Sequence, residues 1–584
     1  MKKLLPLLFI LLAAPGAQAQ NPVTYPTYKE IVTHFFSRYM LTEGVSGPAT
    51  VFEKRPTGWW VRLQDELYTE VAYYQLWKSE DGSYPPVDLL PAKGTRANQS
   101  AVDVLLNDTY RNAYYALEPY YGYTGWTEDV IRTFGNRNDL TDTLLYGLGN
   151  ACSLYASDLL TNNSGLSDPE KMFRPDERTG LISAAELAVY REYRHKAIEL
   201  LEQLSRRNPD FQTLVGPIRL KYWNEVVVAF WDVWEYYGEE EARKELKPDL
   251  YNAFYLDLAA NQLESCPKNA ILFSAGDTDT FPLLYMQVQK GFRPDVRLVN
   301  MNLYQIPHYA NALRRPFFGA EPLPFGMSPE ETADPRFEYV LLENSEEPLA
   351  VTDIPGHLEA RYPAAYRHNF RFTFPSSSFS YNDHLTLKAG AGYLLRNDLL
   401  FLNLLRVNKE QRPVCFTLSH SDYMQAGDNM SITGLVLQLQ YDKRYYYEAK
   451  DAEAVYDLLM KRLRTSPGIR LQASETRLVF PYTFGFMYLA RTLADKGDKV
   501  RTEQLLDRYF SLFGEVLPAS DPWNLYLVEL YYRADAFAKG NALAARMVPG
   551  LEYSADRMDQ ATLTNLRELM EKYKQPAIIA KDRK

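Results

Sequence analysis

The segment from Asn269 to Leu303 constrains the fold most, because it predicts a strand, an acidic turn, a helix and a second strand in succession. The turn Gly276-Asp-Thr-Asp-Thr280 follows the apolar run Ile271–Ser274. Such a βαβ unit places its first turn at the carboxyl edge of a parallel sheet, where open α/β folds bind ligands. The sequence therefore predicts a ligand-binding edge that contains Gly276, Asp277, Asp279 and Thr280.

Further apolar runs extend this unit into a larger domain. Strands are predicted at Val296–Met301, Val414–Leu418 and Gly434–Gln440, and a helix at Gly392–Val407. Near-continuous apolar strands suit a sheet that helices cover on both faces. We therefore expect an α/β domain over residues 266–442, built on a three-layer parallel or mixed sheet. Its segment Pro316–Asn382 has no clear period and could be a lid, a plug or a docking loop at the sheet edge.

Helical periodicity dominates on both sides of this domain, over residues 97–265 and 443–584. Part of the spacing matches tetratricopeptide repeats, in which helix pairs stack and leave a concave surface for peptides or partner proteins. The matching positions are Leu145, Leu148, Gly149, Cys152, Ala197, Leu201, Leu204 and Pro209, then Leu489, Ala490, Leu493, Gly497, Asp498, Leu506, Gly540, Asn541 and Ala545. Gly497–Asp498 and Gly540–Asn541 are predicted to be turns between helices.

The start of the chain predicts export, followed by a small β-rich segment. Residues 1–19 have the order of a secretory signal peptide: two lysines, an apolar run from Leu4 to Ala14 and the small-residue site Ala17-Gln-Ala19. We expect cleavage after Ala19. Residues 20–96 are rich in aromatic and branched side chains, with a turn at Pro56–Gly58, which predicts antiparallel strands. No stretch supplies the about 20 consecutive apolar residues of a membrane helix. We expect a periplasmic or secreted protein without a membrane span.

Charge and cysteine content argue against several classes of protein. The chain carries 64 Lys and Arg against 74 Asp and Glu, a formal net charge of −10, whereas nucleic-acid binding needs clustered cations. Its three cysteines, Cys152, Cys266 and Cys415, lack the paired spacing of a zinc site or a disulfide framework. The sequence thus predicts no nucleic-acid partner, no metal and no cofactor.

The acidic turn admits three interpretations. Asp277 and Asp279 could bind a divalent cation through oxygen, or work as a general acid and base pair. Alternatively, Asp279 or Thr280 could cap the helix by accepting free N–H groups of its first turn, where Pro282 is tolerated. A cap stabilises by about 1 kcal/mol, which is reason enough for such residues without any ligand.

A second polar group, Ser419-His-Ser-Asp422, follows the predicted strand Val414–Leu418. It contains the residue types of a hydrolase but lacks the G-x-S-x-G spacing of a nucleophile elbow. Because the carboxyl ends of parallel strands meet at one edge, His420 and Asp422 are expected beside Asp277. They complete the set of candidate ligand-binding residues.

Four motifs occur in the order of one known protein family. They are Gly276–Leu283, Gly291–Asn300, Arg396–Leu400 and Gln411–Phe416. These motifs resemble the carboxyl-terminal region of multispanning membrane proteins common in Bacteroidetes and related to an animal protein O-mannosyltransferase. Members look like GT-C glycosyltransferases, with a bundle of membrane helices followed by an extracytoplasmic α/β segment and tetratricopeptide-like helices. The resemblance covers Pro267 to Met547.

This chain departs from the family pattern in two respects. In the family, the membrane bundle would hold the lipid-linked sugar donor and the catalytic acid. Here a signal peptide, a β segment and helices stand in its place. In addition, Thr278 stands where members usually have Asn. The resemblance therefore implies a fold and an extracytoplasmic, glycan-handling setting, with no catalytic residue. We expect a non-enzymatic protein that binds a partner protein or a glycan-bearing envelope component. The alternative is a glycan-active enzyme with its site around Asp277, Asp279 and His420.

Overall fold

A computed structural model describes most of the chain. The described residues are 24–39, 49–64, 71–89, 116–118, 120–161, 181–343, 345, 347–360, 373–466, 471–514, 516–518 and 520–576. The predicted signal peptide and its cleavage site lie outside them. The chain divides into two compact units, residues 1–151 and 152–584. Within the described ranges no helix combines the length and apolar composition needed to cross a bilayer.

The first unit contains the antiparallel sheet predicted for its sequence. Its elements are α1 (Tyr28–Arg38), β1 (Ala49–Arg55), β2 (Gly58–Gln64), β3 (Val71–Lys78) and α2 (Trp126–Phe134). The strands pair in the order β1-β2-β3, and the two-residue turn Pro56–Thr57 joins the first two. The rings of Tyr28 and Phe35 on α1 pack edge-on against Phe52 of β1, so the helix covers an aromatic face of the sheet.

Long helices open the second unit. They are α3 (Asp142–Thr161, which begins in the first unit), α4 (Ala184–Arg207), α5 (Ile218–Tyr236), α6 (Glu239–Arg243) and α7 (Ala253–Ser265), with a short hairpin of β4 (Gln212–Thr213) and β5 (Gly216–Pro217) between α4 and α5. A capping box of Ser183 and Glu186 starts α4. Arg194 of α4 is buried, and Glu225 and Asp232 of α5 pair with its guanidinium. This ion-pair network joins α4 to α5.

The α/β core follows these helices. It runs through β6 (Ile271–Ser274), α8 (Gly276–Lys290), β7 (Arg297–Asn300), α9 (Pro307–Ala312), α10 (Pro329–Ala333), β8 (Tyr339–Leu342), β9 (Leu349–Ala350), α11 (Ile354–Ala360), β10 (Thr373–Phe374), β11 (Ser378–Ser380), β12 (Thr386–Lys388), β13 (Tyr393–Leu395), α12 (Arg396–Asn408), β14 (Val414–Phe416), β15 (Met430–Ile432) and β16 (Leu437–Leu439). Its main sheet is mixed and has the order β15-β16-β14-β6-β7. Strand β6 pairs in parallel with both β14 and β7, whereas β16 pairs antiparallel with both β14 and β15. The carboxyl ends of three parallel strands therefore meet at one edge.

The strand boundaries differ from the prediction in three places. The predicted strand Val414–Leu418 ends at Phe416, and residues 418–420 form a turn of 3₁₀-helix. Gly434 was predicted to begin a strand, but it has φ +133° and lies in the turn between β15 and β16. Strand β15 itself was not predicted. The predicted helix Gly392–Val407 begins as strand β13, and α12 starts only at Arg396. Strands of three residues are too short to show a period, which explains these errors.

Paired helices complete the chain. They are α13 (Ala452–Asp457), α14 (Phe480–Asp495), α15 (Lys499–Phe513), α16 (Trp523–Arg533), α17 (Phe537–Glu552) and α18 (Arg557–Lys572). Gly497–Asp498 lies between α14 and α15, as the repeat spacing predicted. The predicted turn at Gly540–Asn541 is wrong, because both residues lie inside α17. A Cβ atom on Gly540 would come within 2.5 Å of the Tyr532 ring, so this glycine allows two helices to approach closely.

Candidate functional site

The acidic turn lies at the carboxyl edge of the parallel strands, between β6 and α8. Gly276 starts the helix with φ +66°, a left-handed conformation that favours glycine. The Asp279 carboxylate accepts hydrogen bonds from the backbone N–H of Ala275 (2.9 Å) and from the hydroxyl of Thr417, which follows β14. Asp279 thus connects the ends of two parallel strands through its side chain. Burial raises the pKa of Asp279, and these hydrogen bonds partly offset the effect.

Thr280 forms hydrogen bonds at the ends of two strands and lines neither of the two cavities described below. Its side chain is fully buried, and its hydroxyl lies 2.7 Å from the hydroxyl of Ser274. The same oxygen accepts a hydrogen bond from the Asn300 side-chain amide at 3.1 Å. Because Ser274 ends β6 and Asn300 ends β7, this small network fixes the spacing of the two strands at the edge.

Asp277 points away from this network and toward α5. Its carboxylate accepts a hydrogen bond from Nδ2 of Asn224 at 3.0 Å. Burial raises the pKa of Asp277, and the nearby charge of Lys221 opposes that shift. A carboxylate offers about four acceptor positions, so Asp277 keeps acceptor capacity beyond its bond to Asn224. Asp277 also lines two cavities, one on each side of it.

The first cavity has a volume of about 510 Å³ and a lining that mixes polar and apolar side chains. Its polar lining includes Gln262, Asp277, Thr278, Asp279, Ser419 and Arg477. Its apolar lining includes Leu258, Pro282, Leu418, Leu478, Phe480 and Pro481. The cavity thus joins the carboxyl edge of the sheet to α7 and to the start of α14. Enclosed clefts of about 300–1,000 Å³ with a few convergent polar groups are typical of small-molecule sites.

Gln262 of α7 is the most unusual side chain in this cavity. It is only 4 % exposed, yet its amide makes no side-chain hydrogen bond to any residue that the structure describes. Its neighbour Asn261 shows the normal arrangement, because its amide bonds to the backbone of Arg464 and to the Tyr482 hydroxyl. Its amide nitrogen and oxygen are not among the fully buried polar atoms without a partner, so they are open to the cavity. Gln262 therefore offers unused hydrogen-bonding capacity to whatever fills the cavity.

The second cavity has a volume of about 730 Å³ and lies on the α5 side of Asp277. Its aromatic lining consists of Trp231, Tyr236, Phe281, Tyr309 and Tyr339. Its polar lining includes Asp232, Glu235, Asp277, Gln305, Glu338 and Arg396. Asp232 is engaged by Arg194 and by the Tyr190 hydroxyl, which accounts for one of these carboxylates. From the predicted insertion Pro316–Asn382, the described residues contribute Glu338 and Tyr339 here and none to the first cavity.

The structure separates two of the predicted site residues from the rest. His420 and Asp422 follow β14, but neither lines the cavity that holds Asp277 and Asp279. Burial lowers the pKa of His420, and its ring packs edge-on against Tyr423. Asp422 is exposed and accepts the backbone N–H of Gly427 at 2.8 Å. The turn of 3₁₀-helix after β14 brings Ser419 to the cavity instead.

Several lining residues could not be located from the local sequence. Gln262, Arg477 and Phe480 belong to helical segments outside the predicted α/β domain, and Asn224 reaches Asp277 from α5. One signal was available, since Asn261 and Gln262 stand between the apolar run Leu258–Ala260 and Leu263 on this helix. No group of three or more His, Cys, Asp or Glu that could hold a metal ion occurs in the part of the chain that the structure describes.

Comparisons with known proteins give one match. A search of curated proteins and a search of solved structures each found nothing similar. A family model matches residues 255–371, which form about a fifth of the chain. Two of the four family motifs, Gly276–Leu283 and Gly291–Asn300, lie within this segment. The match supports the predicted relation to the family of an animal protein O-mannosyltransferase. Over residues 255–371, which include Gln262 and the acidic turn, the chain is similar to the family model described as TMEM260-associated domain 2.

Proposed function

We propose that this chain is an exported, non-enzymatic binding protein for a glycan-bearing component of the cell envelope, and that the first cavity holds the glycan. The observation that carries this proposal is the mixed lining of the cavity, which combines the unpaired amide of Gln262 with the aromatic ring of Phe480. Saccharides have the same mixed character, because hydroxyl groups project from the ring edge while C–H groups cover its faces. An aromatic face attracts such C–H groups through its negative quadrupole.

The polar wall suits hydroxyl groups better than a charged ligand. A sugar hydroxyl both donates and accepts a hydrogen bond, and the Gln262 amide offers two donors and one acceptor. The Asp277 carboxylate and the Thr278 and Ser419 hydroxyls add further acceptors at the same cavity. The carboxyl groups of Asp277 and Asp279 outnumber the one Arg477 guanidinium among these lining side chains, which disfavours an anionic ligand. A cavity of about 510 Å³ accommodates a small ring rather than the broad surface of a folded protein partner.

A glycan array tests the proposal directly. The full chain is applied to printed saccharides that contain mannose, glucose or N-acetylhexosamine, and affinities for retained ligands are measured by calorimetry. Gln262→Ala should weaken binding about tenfold, since loss of one or two neutral hydrogen bonds corresponds to about 1.4 kcal/mol. Gln504→Ala is the matched control, because Gln504 is exposed on α15 and, among the described residues, its side chain bonds only to the Tyr456 hydroxyl. Absence of binding to every saccharide would refute the proposal.

The second candidate function is glycan hydrolysis, favoured by the raised pKa of Asp277 inside a cavity. A carboxylic acid that stays protonated can donate its proton to the leaving oxygen of a glycosidic bond while water adds to the sugar. Such enzymes also need a second carboxylate beside the bond. Asp279 lines the same cavity, but Thr417 and the Ala275 N–H already engage its carboxylate. Release of reducing ends by the wild type, abolished in Asp277→Asn, would establish this second function in place of the first.

A further inference from the structure

We infer that the ligand is an oligosaccharide that crosses Asp277, with one sugar in the first cavity and the next in the second. The inference rests on the proposed function and specifies its ligand. Its starting point is that Asp277 lines both cavities, so the two spaces adjoin at one side chain. Their volumes, about 510 Å³ and about 730 Å³, each fall within the range of small-molecule sites, about 300–1,000 Å³.

The second cavity has the same mixed chemistry as the first. Trp231, Phe281 and Tyr309 supply aromatic surface, while the exposed side chains of Gln305 and Glu338 supply hydrogen-bonding groups. A sugar ring placed here would again meet both aromatic rings and amide or carboxylate groups. Two adjoining cavities with the same preference favour one ligand with a repeated unit over two unrelated ligands.

Trp231 lines this cavity with an indole ring that is 5 % exposed. Its N–H has no hydrogen-bond partner among the residues that the structure describes, and the nitrogen itself is fully buried, so the ring and not the N–H borders the cavity. Trp231 therefore offers ring surface to a sugar, whereas the Gln262 amide in the first cavity offers hydrogen bonds.

Asp277 is suited to the junction between two sugars. Among the described residues, Asn224 provides its one direct hydrogen bond, so the carboxylate can accept further bonds from hydroxyls on either side. One carboxylate that contacts both units fixes the register of the chain across the two cavities. Binding should therefore depend on the length of the saccharide, because each cavity contributes only when a sugar occupies it.

The test measures affinity against chain length for the full protein. Calorimetry compares mannose, mannobiose and mannotetraose, and in parallel N-acetylglucosamine, chitobiose and chitotetraose. In the series that binds, affinity should rise at least tenfold from the monosaccharide to the tetrasaccharide. Gln305→Ala and Glu338→Ala change exposed side chains and should reduce this ratio, as should Trp231→Phe, which keeps a ring but reduces its surface. Gln504→Ala should leave the ratio unchanged.

The outcomes separate the inference from the function on which it rests. Equal affinity for the monosaccharide and the tetrasaccharide would overturn the two-cavity inference while the glycan-binding function stands. A length dependence that all three second-cavity variants leave intact would also overturn it, because the additional units would then bind elsewhere. Failure of every saccharide in both series and on the array would refute the function itself.

Discussion

Replacing Gln262 by leucine should stabilise the protein while it weakens ligand binding. The Gln262 side chain is 4 % exposed and its amide is unpaired among the described residues. Leucine has a similar volume and no polar group, so it removes an uncompensated polar burial. Mutational data put that cost at about 1–3 kcal/mol, and partial access to the cavity argues for the lower end, a gain of about 1 kcal/mol. Affinity for the saccharide should fall at least as far as in Gln262→Ala.

Asn261→Leu provides a control of opposite sign on the same helix. The Asn261 amide donates to the Arg464 carbonyl (2.8 Å) and to the Tyr482 hydroxyl (3.1 Å), and its oxygen accepts the Arg464 N–H (2.8 Å). Leucine here would leave up to three groups without partners, at a cost of about 3–5 kcal/mol. The two substitutions have the same chemistry and adjacent positions, so only the pairing of the amides distinguishes them.

Native-state hydrogen exchange is the appropriate assay, since a chain with two compact units need not unfold in one step. The free energy of opening of α7 should rise in Gln262→Leu and fall in Asn261→Leu. Thermal unfolding should show the same order of stability. If Gln262→Leu destabilises α7 as much as Asn261→Leu does, the Gln262 amide has a structural partner and the reasoning is wrong. The same conclusion follows if saccharide affinity is unchanged.

Three further predictions concern the sheet edge and the terminal helices. Thr280→Val should lower the free energy of unfolding by about 2–4 kcal/mol, because it leaves two buried partners unpaired. Its control, Thr564→Val on the exposed face of α18, should change that free energy by less than about 0.5 kcal/mol. Equal effects of the two variants in denaturant titrations would contradict this. Folding raises the pKa of Asp279, so between its unfolded and folded pKa values the folded chain holds a proton that the unfolded chain has released. Stability should therefore fall as pH rises from the ordinary Asp range through the raised pKa, and Asp279→Asn should remove this part of the slope. An unchanged slope would count against the burial of this carboxyl. Gly540→Ala should destabilise the α16–α17 pair by about 1–3 kcal/mol, because the new Cβ collides with the Tyr532 ring. Gly356→Ala in α11 is the control, since its Cβ meets open space, and it should be neutral or stabilising by up to about 1 kcal/mol. A melting temperature that falls equally in both variants would refute the steric explanation.

Prediction from the sequence succeeded where local pattern and tertiary packing impose the same demand. The predicted strands Ile271–Ser274 and Val296–Met301 have largely apolar centres bounded by turn residues, and both form buried parallel strands, the second over Arg297–Asn300. Prediction failed where one residue type serves two purposes. Gly497 ends a helix as expected, but Gly540 lies within one because a neighbouring helix packs against its bare backbone.

The candidate site shows the same division. The position of Asp277 and Asp279 at the carboxyl edge followed from the βαβ pattern, because parallel strands end where the next helix starts. His420 was expected beside them on the same ground, yet the turn of 3₁₀-helix after β14 brings Ser419 to the cavity and leaves His420 outside its lining. A single turn of helix redirects side chains in a way that strand order cannot specify.

The sequence by itself determined the mixed α/β and helical character of this protein, the acidic turn and its place at the sheet edge, since these depend on periodicity and on turn chemistry within a few residues. Only the tertiary structure decided which polar groups find partners among the described residues and which remain open to the cavity. Asn261 and Gln262 are adjacent and chemically alike, but partners about 200 positions along the chain satisfy only the first. Hydrogen-bond satisfaction depends on distant contacts, so only the folded chain identifies Gln262, and with it the cavity.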